Sequence, residues 1–181
     1  MANTTFDGPV RSKNGFINLG PSAVKAETLA TDLTVAAHAG RLVTMDPAGT
    51  PTAITIPAIN ATADSAIAGP GSDPNNPNTI GTTFEILFID DFTGTIKTAN
   101  TADKFVGMVT IGIDSSTAGK QFVPATANNE VNLNGEAGAS VATTGGLKGS
   151  RIKFTAIAAN LYAVEGQLVG SGSIATPFDS Q

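Results

Sequence analysis

Short runs in which apolar side chains alternate with polar ones, or crowd both sides, recur along the chain between Gly, Asn, Asp and Pro. A period of two sends successive side chains to opposite faces of a strand, so the pattern predicts β-structure. The strongest runs are 31–36, 41–45, 53–56, 83–89, 94–98, 105–113, 131–133, 149–157 and 161–169. Many short strands spaced by turn residues predict an all-β domain, an antiparallel β-sandwich or jelly roll. Alternation is cleanest over 151–156, where Ile152, Phe154 and Ala156 face inward and Arg151, Lys153 and Thr155 face water. Ala159 and Asn160 read as a hairpin turn into a return strand with Tyr162 and Val164 on one face and Ala163 and Glu165 on the other. That pairing brings Glu165 near Arg151 or Lys153. In 84–89 apolar residues occupy both faces, as in a central strand. A helix with Ser22 as its cap is allowed at 22–30, but the run is short and flanked by threonine.

Three stretches make poor strands. Residues 1–30, with Gly8-Pro9, Asn14-Gly15 and Gly20-Pro21, read as an extended N-terminal arm; 31–170 form the domain; 171–181 form a C-terminal tail, entered through the Gly170-Ser171-Gly172-Ser173 hinge. The 69–78 stretch is a turn-rich excursion of the kind that carries binding or forms a tip. Arms at both ends of a β-domain suit interlocking subunits, although fraying termini are equally ordinary.

Composition narrows the partners. Charged residues make up 14% of the 181, well below the roughly 25% of soluble domains. Few ions then need desolvating when two such surfaces meet. The net charge of −5 supplies no basic footprint for nucleic acid. With no cysteine, disulfides, thiolate zinc sites and cysteine nucleophiles are excluded. The first residues lack a basic and apolar leader pattern, and no apolar run approaches 18 residues, so neither signal-directed secretion nor a membrane partner is expected.

Candidate chemistry is sparse. His38, the single histidine, lies between two predicted strands; a Ser-His-Asp system could use it, but no Gly-x-Ser-x-Gly elbow accompanies it and a loop or half-buried histidine is the commoner role. Asp90 and Asp91, with Asp64, Asp103 or Asp114, could offer oxygen ligands to calcium, without EF-hand spacing; a solvated turn is the plainer reading. Neighbouring positions on a strand point to opposite faces, which weakens Asp90 and Asp91 as a glycosidase pair. The glycine clusters at 69–71 and 170–172 lack the Gly-Lys-Ser/Thr continuation of a phosphate loop. Phe84, Phe88, Phe122 and Phe154 sit where a core needs them, leaving loops around Phe92 and Phe105 as the remaining places for a sugar platform. No catalytic residue, no cofactor and no metal is assigned, and a non-enzymatic protein is expected.

The phrases Asn128-Asn129-Glu130-Val131-Asn132-Leu133-Asn134-Gly135, Thr143-Thr144-Gly145-Gly146-Leu147-Lys148-Gly149-Ser150-Arg151-Ile152, Tyr162-Ala163-Val164-Glu165-Gly166-Gln167-Leu168-Val169-Gly170-Ser171-Gly172 and Ala175-Thr176-Pro177-Phe178 resemble capsid decoration, or cement, proteins of tailed bacteriophages. Upstream, Ala53-Ile54-Thr55-Ile56-Pro57-Ala58, Thr95-Ile96-Lys97 and Asp103-Lys104-Phe105-Val106-Gly107 are similar to the same group. The likeness spans about residues 31–178, in β-turn and strand phrases that several virion proteins share. It implies a homotrimer on the outside of an icosahedral shell, made in the host cytoplasm and contacting the major capsid protein. Apolar and basic residues outside any strand pattern give the expected contacts: Arg11, Lys13, Phe16 and Ile17 toward the capsid, and Pro177 and Phe178 toward a neighbouring protomer. A trimeric tail-fibre or surface knob binding host glycans or receptors is the alternative, and a hydrolase using His38 a third class.

Overall fold

A computed structural model of the chain describes residues 24–28, 30–47, 52–61, 78–114, 118–135 and 141–181. Two mixed sheets pack face to face as an all-β sandwich. In chain order the strands are β1 (Val24–Glu27), β2 (Thr31–Asp32), β3 (Leu42–Met45), β4 (Thr52–Ile56), β5 (Thr83–Phe88), β6 (Thr93–Thr98), β7 (Lys104–Ile113), β8 (Gly119–Phe122), β9 (Glu130–Asn134), β10 (Arg151–Ala158), β11 (Leu161–Gly170) and β12 (Phe178–Asp179). The larger sheet runs β1-β3-β5-β10-β11-β7-β8 and the smaller β12-β9-β6-β4-β2.

The first half of the chain switches sheet at every strand. β1, β3 and β5 lie parallel in the large sheet, while β2, β4 and β6 lie parallel in the small one. Each pair of strands is thus one turn of a three-turn coil that advances by one strand position. The second half adds antiparallel pairs, β5 to β10, β10 to β11 and β6 to β9, and one long parallel pair, β11 to β7. Hairpins were the sequence expectation because neighbouring runs lie close together. Instead, consecutive strands from β1 to β6 alternate between the two sheets, and strands two apart in sequence there pair parallel within a sheet.

Inner faces alternate as the period-two pattern requires. Phe84, Ile86 and Phe88 of β5, Ile152, Phe154 and Ala156 of β10, and Tyr162, Val164 and Leu168 of β11 meet Ile54, Ile56, Ile96, Val131 and Leu133 of the small sheet. Phe105 packs on Phe154 with ring centroids 5.2 Å apart, and Phe88 on Phe92 at 4.5 Å. Each large side chain withdrawn from water stabilises the fold by about 1.5–3 kcal/mol. Phe92 and Phe105 are core residues, so neither forms a sugar platform.

Local choices differ from expectation at three places. The 22–30 run supplies β1 rather than a helix, so the large sheet extends into the stretch assigned to the arm. The 31–36 run makes only the two-residue β2 before turning into α1 (Val35–His38), because Thr34 Oγ1 accepts the Ala37 N–H at 3.2 Å and caps that turn. β8, the mostly exposed Gly-Lys-Gln-Phe, is not among the predicted runs, although its Phe122 packs half-buried against the core as expected. The hairpin at Asn160 is as expected, and Asn160 is the one non-glycine residue with positive φ among the described residues, at 58°. Asparagine tolerates this region, whereas a β-branched residue clashes with its own carbonyl. Asn160→Val is therefore expected to cost about 1–2 kcal/mol and Asn160→Gly little, as read by denaturant midpoints.

Candidate functional site

Strand register arranges the outer face of the large sheet into three rows. One row is polar: Thr44, Leu87, Arg151, Gln167, Thr110 and Gln121 lie opposite one another across six strands. The next is charged: Leu42, Glu85, Lys153, Glu165 and Met108. The third is short and weakly polar to apolar: Thr83, Thr155, Ala163 and Val106. Ile157, at the bulge between Ala156 and Ala158, adds to its edge.

The charges on this face cancel locally. Arg151 pairs with Glu85 and Lys153 with Glu165, so two cations meet two anions within a chain whose net charge is −5. The hydrogen bond from Lys153 to Glu165, with the attraction of that carboxylate, holds the ammonium above its usual range. These pairs are exposed and contribute little to stability; what they do is remove net charge from the face. Beside them Val106, Met108 and Ile157 stand 38%, 42% and 45% exposed. Two open hollows flank the Lys153–Glu165 pair. One, of about 530 Å³, is lined by Glu85, Arg151, Gln167, Thr110 and Met108; the other, of about 490 Å³, by Met108, Thr155, Ile157 and Ala163.

The small sheet presents a different outer face. Thr95 Oγ1 donates to Asn132 Oδ1 at 2.9 Å, Asn132 Nδ2 donates to Asp179 Oδ2 at 3.3 Å, and Lys97 lies opposite Glu130. Its hydrogen-bonding groups already serve one another. A third hollow, of about 420 Å³, lies at its β2 edge between Asp32, Thr55, Lys97 and Gln181.

His38 meets both a carboxylate and a hydroxyl. Its Nε2 lies 3.2 Å from Glu27 Oε1, and its Nδ1 lies 3.4 Å from Thr34 Oγ1. The partners are occupied otherwise than in a nucleophilic relay. Nδ1 accepts the Thr34 N–H at 2.9 Å, which assigns the ring proton to Nε2, facing Glu27. Thr34 Oγ1 serves as the cap of α1, and the ring is buried outside all three hollows. Burial would raise the Glu27 carboxyl, but hydrogen bonds from His38 and Lys25 and the charge of Lys25 outweigh it, leaving that carboxyl below its usual range. The arrangement ties β1 to the helical turn.

The described aspartates do not converge. Asp90 Oδ1 accepts the Asp91 N–H at 3.0 Å within the turn after β5, and Asp91 Oδ1 accepts the Lys148 N–H at 2.8 Å, tying that turn to the loop before β10. Asp103 is buried elsewhere, and Asp64 lies outside the described residues. Among the described residues no group of three or more His, Asp or Glu side chains could hold a metal ion, and no helix is long and apolar enough to cross a membrane. Arg11, Lys13, Phe16 and Ile17 also lie outside the described residues. Pro177 and Phe178 are buried within their own chain, Phe178 through its place in β12 against β9.

The Val106, Met108 and Ile157 strip was not singled out in the sequence. Its signal was there: in β7 the phase that sends Phe105, Val109 and Ile111 inward necessarily sends Val106 and Met108 outward. Apolar residues on both faces read equally well as a strand buried on both sides. No protein-family model, no curated protein and no solved structure matches this chain.

Proposed function

We propose that the protein is a structural virion component, a homotrimer that seats on the outside of an icosahedral phage capsid and cements neighbouring major capsid protein subunits. The observation that carries the reading is the outer face of the large sheet: broad, locally neutral, and bearing exposed Val106, Met108 and Ile157 beside two open hollows. A surface of this kind is suited to another protein surface, since apolar area is there to be covered and net charge need not be desolvated. The decoration-protein likeness supports the reading independently; its quoted phrases at 128–135, 143–152 and 162–172 contain β9 of the small sheet and, in the large sheet, the start of β10 and most of β11. Trimer formation makes a modest contact sufficient: once one protomer is seated, the others rebind at high effective concentration, multiplying apparent affinity by about 10² to 10⁴. Preferential binding to assembled shell then opposes disassembly by mass action.

The test is binding to heads lacking decoration. The double variant Met108→Glu with Ile157→Lys changes only exposed positions, so its thermal midpoint is expected to stay within a few degrees of the parent. Head occupancy at fixed concentration is expected to fall at least about tenfold, the effect of roughly 1.4 kcal/mol per contact before avidity amplifies it. Equal occupancy by parent and variant would remove this face from the contact. Binding of the parent to cells or glycans, with none to heads, would replace the reading by the tail-fibre or surface-knob alternative.

A further inference from the structure

The chain leaves β4 through a connection, residues 57–60, that two polar side chains hold from beneath. Tyr162 of β11 donates its hydroxyl to the Pro57 carbonyl at 2.8 Å, and the Ile59 N–H donates to Asp103 Oδ2 at 3.0 Å. Asp103, at the turn between β6 and β7, is 0% exposed, and its Oδ1 has no hydrogen-bond partner. A buried carboxylate is ordinarily stabilised by two or three donors; one N–H serves this one.

Among the described residues the charged and titratable surroundings are few. From the same turn comes Lys104, whose ammonium is engaged with the Thr101 carbonyl at 2.6 Å. From β11 comes the Tyr162 phenol, and the 57–60 connection and the end of β6 at Thr98 contribute no ionisable side chain. Burial pushes the Asp103 carboxyl up from its ordinary value, and the Ile59 N–H and Lys104 only partly offset it. Burial, then the charge of Asp103, pushes the Tyr162 phenol well up. Ionised Asp103 can be relieved by water reaching Oδ1. The 57–60 connection, half-buried to exposed and outside any strand, is a wall that can yield.

We propose that Asp103 is a proton-operated clamp on the exit of β4: neutral, it holds the 57–60 connection against the sandwich, and ionised, it loosens that connection by drawing water to Oδ1. The linkage has a definite sign. A carboxyl whose folded-state value is raised stabilises the fold fully below the ordinary aspartate value, and that stabilisation is lost as pH rises through the folded-state value. The clamp is independent of whatever covers the outer face of the large sheet.

The chain has one tyrosine and no tryptophan, so tyrosine emission reports on this joint alone. In a titration of the full chain from about pH 3 to 8, Tyr162 emission is expected to change with a midpoint above the ordinary aspartate value of roughly 3.9. Protection of the Ile59 amide, corrected for the intrinsic exchange rate, is expected to fall across the same midpoint as the 57–60 connection loosens. Asp103→Asn keeps the acceptor for Ile59 and is expected to abolish the midpoint. A midpoint that persists in the variant overturns the clamp. So does a carbon-13 titration of the parent's Asp103 carboxyl at or below the ordinary value, a measurement that decides the matter even if the variant fails to fold.

Discussion

Gly107→Ala is expected to cost the fold at least about 4 kcal/mol, a size reserved for substitutions with a specific steric or electrostatic fault. Two faults coincide. Gly107 has φ of 114°, a conformation that side chains other than glycine's hydrogen rarely accept, and a Cβ built there would lie 2.1 Å from the Val164 carbonyl oxygen. That oxygen is backbone in the parallel pair between β7 and β11, where Gly107 lies opposite Val164, so nothing flexible can give way. Gly112 is the control in the same strand, since a Cβ there meets only the Leu168 carbonyl oxygen, at 3.9 Å. Gly112→Ala should stay within about 1 kcal/mol of the parent in the same denaturant titration. Comparable losses for the two variants would show that the approach of β7 to β11 is looser than described. Gly107 lies between Val106 and Met108, so the glycine that permits the close strand contact also seats the exposed apolar pair of the proposed docking face.

Strand positions were legible because alternation is a local property. Arg151 to Ala156 announced its inner and outer residues, and the hairpin brought Glu165 near Arg151 or Lys153. The register gives Glu165 to Lys153, and Arg151 takes Glu85, since β5 lies on the other side of β10. Which strands are neighbours is a non-local choice, settled by how three turns of coil stack, and no residue within a run encodes it. The same limit hid the parallel pairing of β1, β3 and β5. β2 and β12 are two residues each and are held by backbone bonds to one neighbour, below the length at which alternation carries information.

The candidate site was less legible for a related reason. An outward Met108 and an inward Val109 look alike in a list of apolar residues; only the number of sheets covering each face tells them apart. His38 was visible as the one histidine, but its partners Glu27 and Thr34 are drawn in by β1, which the sequence reading treated as arm. Asp103 was noticed as a possible oxygen ligand, whereas its burial under the 57–60 connection depends on a contact made 44 residues away in sequence.

Removal of 174–181 is expected to lower the thermal midpoint by about 10–20 °C, or to abolish cooperative unfolding, because these residues complete the core. Ile174 and Phe178 are 4% and 7% exposed, and losing two such side chains forfeits roughly 5 kcal/mol or more, a large share of the 5–15 kcal/mol that holds a typical domain together. Backbone ties go with them: the Asn132 N–H loses the Pro177 carbonyl at 2.7 Å, and the Lys120 ammonium loses the Ile174 carbonyl at 3.0 Å. Phe178→Ala is the milder probe, expected to cost about 3 kcal/mol. It also bears on whether Pro177 and Phe178 reach a neighbouring protomer. If the ring fills the core of its own chain, the loss in midpoint is the same at every protein concentration. If the strand is exchanged between protomers, the parent's stability rises with concentration by mass action, and the penalty of the variant grows with it. A concentration-independent midpoint for both proteins would leave the hook without a neighbour to hold, and the proposed cementing role would then have to rest on the outer faces of the sandwich.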